Sequence, residues 1–205
     1  MTATCPETST ISAASFCERW TQFSRDEIAE FLASLDGDLL GTANSWWEVF
    51  WHKHQRPPLA AQGGGDWTTW LLLGGRGAGK THAGAAWVHG VALGKMPYAA
   101  APVQRIALVG GNEAEVREVM IEGVSGLLAV HGPGERPDWI PSRRRVEWPN
   151  GAVAQAFSAE DPESLRGPQF GAAWCDEIAK WRHADATFDM LQFGLRLGER
   201  PRQVI

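Results

Sequence analysis

The residues Gly74, Gly75, Arg76, Gly77, Ala78, Gly79, Lys80 and Thr81 fit the pattern G-x-x-x-x-G-K-[ST]. Such a run can wrap a polyphosphate, because glycines without a Cβ let successive backbone N–H groups turn toward one anion. The helix that opens near Lys80 aims its positive end at the same anion. Lys80 then reaches the β- and γ-phosphates of ATP, and the Thr81 hydroxyl is placed to ligate Mg2+. Farther along, the apolar run Ala172 to Cys175 leads into Asp176 and Glu177. Nucleotide binding needs no such pair, whereas hydrolysis does: Asp176 reads as the magnesium-side carboxylate and Glu177 as the base that polarises the attacking water. The plainer readings are a Gly-rich turn before a core helix and an Asp-Glu cap on the next helix. A strand before the loop and a helix after it favour the phosphate reading, and the loop in turn favours the catalytic reading of the acids.

These groups need a strand-and-helix frame. Trp67 to Leu73 is aromatic, Thr- and Leu-rich, as a buried parallel strand would be. A helix follows from Lys80 to about Leu93, then a strand from Arg105 to Val109, then a helix opened by Asn112 with Glu115 three residues on. Arg145 to Phe157 alternates around Pro149, Asn150 and Gly151, which predicts an antiparallel hairpin inserted between the parallel units. Asp161 to Ser164 reads as an N-cap and first helical turn, Phe170 to Cys175 as a strand, His183 to Leu197 as a helix, and Arg202 to Ile205 as the start of another strand. Before the loop, Ser24 and Glu27 form a capping box for a helix to Leu35, with Ile28, Phe31 and Leu32 on one face. A second helical stretch holds Trp46, Trp47, Phe50 and Trp51 and ends before Pro57 and Pro58. Residues 1–23 read as a loose Ser- and Thr-rich tail, so the domain is expected over residues 24–205. The expected fold is an α/β P-loop NTPase of the ASCE/RecA-like class: a mostly parallel sheet flanked by helices, an inserted hairpin and a helical N-terminal extension.

Composition narrows the classes. With 205 residues, there is room for one α/β domain with an appendage. Hydrophobic residues at 44% and charged residues at 21% exclude a disordered tail protein or a coiled coil. No apolar run approaches the roughly 20 residues that span a bilayer, and no secretory signal opens the chain, which predicts a cytoplasmic protein. Cys5, Cys17 and Cys175 are too few and too scattered for a disulfide framework or a structural zinc site. The net charge of −5 has the wrong sign for a surface that grips nucleic acid throughout. Arg143, Arg144 and Arg145 form the one basic run, read as a solvated loop ahead of a DNA-backbone contact. His52 and His54, with one residue between them, lack the companions of a metal site.

Three segments together resemble the ATPase domain of the large terminase subunit, the DNA-packaging motor of tailed phages and phage-derived gene transfer agents: Asp66 to Val88, Ser164 to Trp181, and Phe193 to Ile205. An arginine inside the phosphate loop joined to a Leu165-Arg166-Gly167 segment before the acidic strand is rarer than a phosphate loop alone. The resemblance implies that Arg76 contacts phosphate or couples subunits. It implies that Arg166 is an arginine finger toward a neighbouring subunit's ATP, a task suited to a permanently charged guanidinium. It implies that Gln55 reads adenine, and it gives Arg196 a structural or intersubunit role. Double-stranded DNA, a portal or procapsid, a small terminase subunit and a homo-oligomeric ring become the expected partners. In isolation the chain is expected to be a monomer that binds DNA weakly.

Large terminases continue past this point into a Thr-rich coupling segment and an RNase H-like nuclease. This sequence shows neither, so an ATPase-domain fragment without nuclease activity is expected. Two other functions share part of the pattern. Asp176-Glu177-Ile178-Ala179 resembles the DExx box of a helicase, but a two-lobed helicase needs a far longer chain. A nucleotide-gated binding module would have no need of a carboxylate at Glu177.

Overall fold

The computed structural model describes residues 53–205. The expected tail, the capping-box helix and most of the tryptophan-rich helix lie outside those residues, as does the domain start expected at residue 24. Lys53 to Ile205 form one unit. Its strands are β1 (Thr69–Trp70), β2 (Arg105–Gly110), β3 (Asp138–Ile140), β4 (Arg145–Glu147), β5 (Val153–Ser158), β6 (Ala172–Cys175) and β7 (Arg202–Val204). They form a seven-stranded sheet in the order β1-β7-β6-β2-β5-β4-β3. The first five in that order run parallel, and β4 and β3 add antiparallel at one edge. The fold is therefore mixed α/β with a mostly parallel sheet, and β7 stands between the phosphate-loop strand and the acidic strand.

Parallel strands buried on both faces read as continuous apolar runs, and Ile106 to Val109 in β2 and Ala172 to Cys175 in β6 are buried throughout. Their alternation divides the core. Ala107, Val109, Ala173 and Cys175 share one cluster with Phe157, Phe170 and Leu191, the last on helix α3 (Ala184–Gly194). Trp174 points to the other face, where helix α1 (Lys80–Leu93) packs so closely that a Cβ on Gly84 would overlap the indole ring. Ten consecutive residues of α1, Ala83 to Ala92, are buried. A helix apolar all round belongs in an interior, which explains its lack of a polar stripe.

Local expectations are met with differences. The first strand is shorter than Trp67 to Leu73, because only Leu72 N–H continues the pairing, to Ile205 O at 2.8 Å, before the chain leaves for the phosphate loop. Asn112 does cap the helix after β2, its side chain accepting from Glu115 N–H at 2.9 Å, but that helix, α2 (Glu113–Glu115), passes at once into a π-helical turn over Val116–Ile121. Asp161 precedes a 3-10 turn (Pro162–Leu165) without a side-chain cap. The antiparallel hairpin at Pro149 to Gly151 falls between the parallel strands β2 and β6 in chain order as expected; in addition β5 is itself a parallel neighbour of β2, and β4 and β3 extend the sheet outward from it. Turn residues identify a hairpin but say nothing of the partner on a strand's other edge.

The hairpin is pinned to α1 by a polar chain that starts in the core and ends at the surface. Trp148 Nε1–H donates to His89 Nδ1 at 3.1 Å, so His89 carries its proton on Nε2 and donates it to Glu135 Oε2 at 3.2 Å; Lys95 completes the chain by donating to the same carboxylate. Burial of His89 pushes its pKa down to about 4, outweighing the Glu135 charge. The unfolded chain, with an ordinary imidazole pKa near 6.5, binds the proton more readily. Stability from this group is therefore complete above about pH 6.5 and is lost as pH falls toward 4, on the order of 3 kcal/mol across the window. Urea unfolding at pH 7 and pH 4.5 should show that loss in the parent and a clearly smaller one in His89→Gln; equal losses in both would refute it.

Candidate nucleotide and catalytic site

Because β1 and β6 are parallel, the segments leaving their C-terminal ends emerge at the same edge of the sheet, where ligands of open α/β sheets bind. From β1 comes the phosphate loop. Gly77 (φ 80°) and Gly79 (φ 75°) take left-handed conformations that side chains resist. Gly79 is the N-cap of α1, and the first turn has neither a side-chain cap nor an acidic residue. The opening N–H groups of a 14-residue helix thus face outward beside Lys80, an arrangement suited to an anion. Lys80 Nζ donates to the carbonyls of Gly74 at 2.8 Å and Gly75 at 3.0 Å, which holds the ammonium over the loop. Thr81 lies half-buried in the same turn.

Two residues far upstream brace the loop from behind. Gln55 is buried, and its amide donates to Gly79 O at 3.3 Å; a Cβ at Gly79 would overlap that amide. His54 Nε2 bonds Ala78 O at 2.9 Å. Sequence reasoning missed His54, since nothing local marks a histidine that will meet a loop 24 positions later.

From β6 comes the acid pair. Asp176 N–H extends the ladder to Val109 O at 2.9 Å, and the alternation that turns Trp174 toward α1 carries Asp176 to the phosphate-loop side. Burial, with the adjacent Glu177 charge added, pushes the Asp176 carboxyl up to about 6, while Lys80 pulls it the other way. A carboxylate stripped of water beside a second carboxylate favours a cation at its oxygens. Glu177 then kinks the chain with φ at 52°, rare for a residue other than glycine. Its carboxylate forms an ion pair with Lys180. The turn is closed by Lys180 N–H to Glu177 O at 2.8 Å and by the Trp181 indole N–H to Asp176 O at 2.9 Å. Cys175, directly before the pair, is buried, and burial pushes its thiol pKa up.

A cavity of about 260 Å³ joins the two segments, lined by Leu73, Gly74, Lys80, Asp176, Glu177 and Lys180 among others. A larger one of about 680 Å³ lies on β2 and β5, remote from the phosphate loop. The structure therefore brings together Gly74 to Thr81, Asp176, Glu177 and, behind the loop, Gln55. Arg76 is exposed, near enough to Lys180 for the two positive charges to oppose each other. Arg166 stands apart: it is exposed and pairs with Glu163, at 3.0 Å from Nε to Oε2. The Arg196 side chain is exposed, and its backbone N–H bonds Phe170 O at 3.0 Å.

A family model described as terminase large subunit, T4likevirus-type, N-terminal, matches residues 71–205. The chain belongs to this terminase family. The matched span covers most of the phosphate-loop edge of the sheet, including the loop, the acid pair, Arg166 and Lys180. It begins after Gln55 and His54. Among solved structures, this terminase chain is similar to the large terminase ATPase domain of Thermus phage P74-26, with 17% identity and a TM-score of 0.41 over 67% of this chain. It spans 57% of that chain's length. No curated protein matches it.

Proposed function

We propose that this terminase chain is an ATP-hydrolysing motor domain that powers movement of double-stranded DNA into a capsid. The observation that carries the reading is the meeting of Lys80 with Asp176 and Glu177 at one edge of the sheet, delivered by two strands that are far apart in sequence. Gly74 to Gly79 and the α1 N-terminus would hold the polyphosphate, with Lys80 as counter-charge. Thr81 and Asp176 supply the hydroxyl and the carboxylate that fit Mg2+, and the metal would draw negative charge from the phosphate oxygens. Glu177 orients a water and accepts its proton. Gln55 would read adenine, and its bond to Gly79 O would link that recognition to the loop.

The DNA, portal, procapsid and small-subunit partners follow from the family and are part of the proposal. The basic run adds little to DNA contact: Arg144 is paired with Glu113 and Arg145 with Glu147, and among the described residues Arg143 is the one of the three outside an ion pair. Arg166 is the proposed finger, its pairing with Glu163 being the contact a neighbour's phosphates would replace. A finger in trans contributes about 10³ to 10⁵ in rate in other NTPases. The isolated chain should therefore hydrolyse Mg-ATP slowly and accelerate when assembled on a procapsid with duplex DNA. Within that assembly, Arg166→Ala protomers mixed with Lys80→Ala protomers should recover hydrolysis, since each supplies what the other lacks at one interface. No turnover by the parent, alone or assembled, would overturn the ATPase reading. A mixture no better than the two mutants assembled separately, beside active parent protein, would overturn the finger alone.

A further inference from the structure

Glu177 has a neighbour that the ATPase reading does not use. Lys180 follows it by three residues, and the ammonium is bonded to Glu177 Oε2, which leaves Oε1 without a partner in that pair. An exposed ion pair at this spacing is ordinarily worth little, because both side chains are free to move. Here the backbone restricts them. Glu177 sits in a left-handed conformation, Lys180 N–H returns to Glu177 O, and the Trp181 indole anchors Asp176 O, so both side chains leave one closed turn on the same side. Backbone strain held by surrounding contacts is a recurring property of functional sites.

Electrostatics gives the pair a purpose. Glu177 and Glu115 both oppose the charge on Asp176, and both favour the charge on Lys180. Lys80 is turned to the loop carbonyls and faces Asp176. Without a counter-charge on its own side, the Glu177 carboxylate would swing away from its acidic neighbours into water. We propose that Lys180 is a positioning residue for hydrolysis: it grips Oε2 of Glu177, holds the carboxylate against Asp176's repulsion, and leaves Oε1 to receive the attacking water. This rests on the proposed ATPase activity.

The test is a steady-state comparison of parent, Lys180→Met and Lys180→Arg with Mg-ATP, with ATP affinity measured by calorimetry. The Lys180 side chain is exposed, so the fold should survive both changes. Misplacing a catalytic group by an ångström costs up to about 10²-fold. Lys180→Met should therefore lower kcat by about 10-fold to 10²-fold while KM and ATP affinity stay within about twofold, and Lys180→Arg should restore most of the rate. A purely structural role would move affinity and kcat together. The inference is overturned if kcat of Lys180→Met stays within about twofold of the parent, if affinity falls with it, or if arginine fails to rescue. A parent without ATPase activity would instead overturn the proposed function itself.

Discussion

Lys80→Ala is expected to lower Mg-ATP affinity by at least about 10²-fold. In the proposed site the lysine supplies a formal positive charge to the phosphates, and each charge-assisted hydrogen bond lost is worth about 1.5–3 kcal/mol. Two such bonds, to the β- and γ-phosphates, amount to about 3–6 kcal/mol, or 10² to 10⁴ in affinity. The same ammonium bridges the carbonyls of Gly74 and Gly75, so its removal also frees the mouth of the loop. Lys80 lies at the exposed start of α1, ahead of the buried stretch that begins at Ala83, so the variant should fold. Isothermal titration of parent and variant with Mg-ATP decides the matter, and equal affinities would remove the phosphate-loop assignment.

Glu177→Gln should separate binding from turnover. The amide keeps the size of the side chain, and its oxygen still accepts from Lys180, so the turn from Asp176 to Trp181 persists. It can hydrogen-bond a water but cannot take its proton, and the loss of a positioned base costs about 10²-fold to 10⁴-fold. ATP affinity should stay within about threefold of the parent, since Glu177 is not assigned to the phosphates. Single-turnover hydrolysis beside calorimetry reads both quantities. Affinity and turnover falling together, or neither falling, would mean that Glu177 is not the base.

The local geometry at this edge was legible because its signals are contiguous. Gly74 to Thr81 carries its own conformational requirements in eight adjacent residues, and the apolar run into Asp176 and Glu177 announces a buried strand ending in charge. The α1 boundaries, Lys80 and Leu93, follow from the loop before it and Gly94 after it, which ends the helix in a left-handed conformation. The capping of α2 by Asn112 was equally local.

What the chain order could not show is lateral. Strand periodicity states that a strand is buried, not which strand lies beside it, so the position of β7 between β1 and β6, and of β5 between β2 and β4, came only with the sheet. The bracing of the loop by His54 and Gln55 belongs to the same class, since it depends on two segments meeting through space. The Glu177 to Lys180 pair is intermediate. Its spacing is plain in the sequence, but in a straight strand those side chains would leave opposite faces, and it is the left-handed Glu177 followed by the 3-10 turn Ile178–Lys180 that brings them to one side. That conformation is unfavourable for an isolated glutamate and is held by the Trp181 indole and the turn's backbone bonds, which are local, while the Trp181 ring itself is fixed by burial in the core cluster, so the local bonds depend on a tertiary contact.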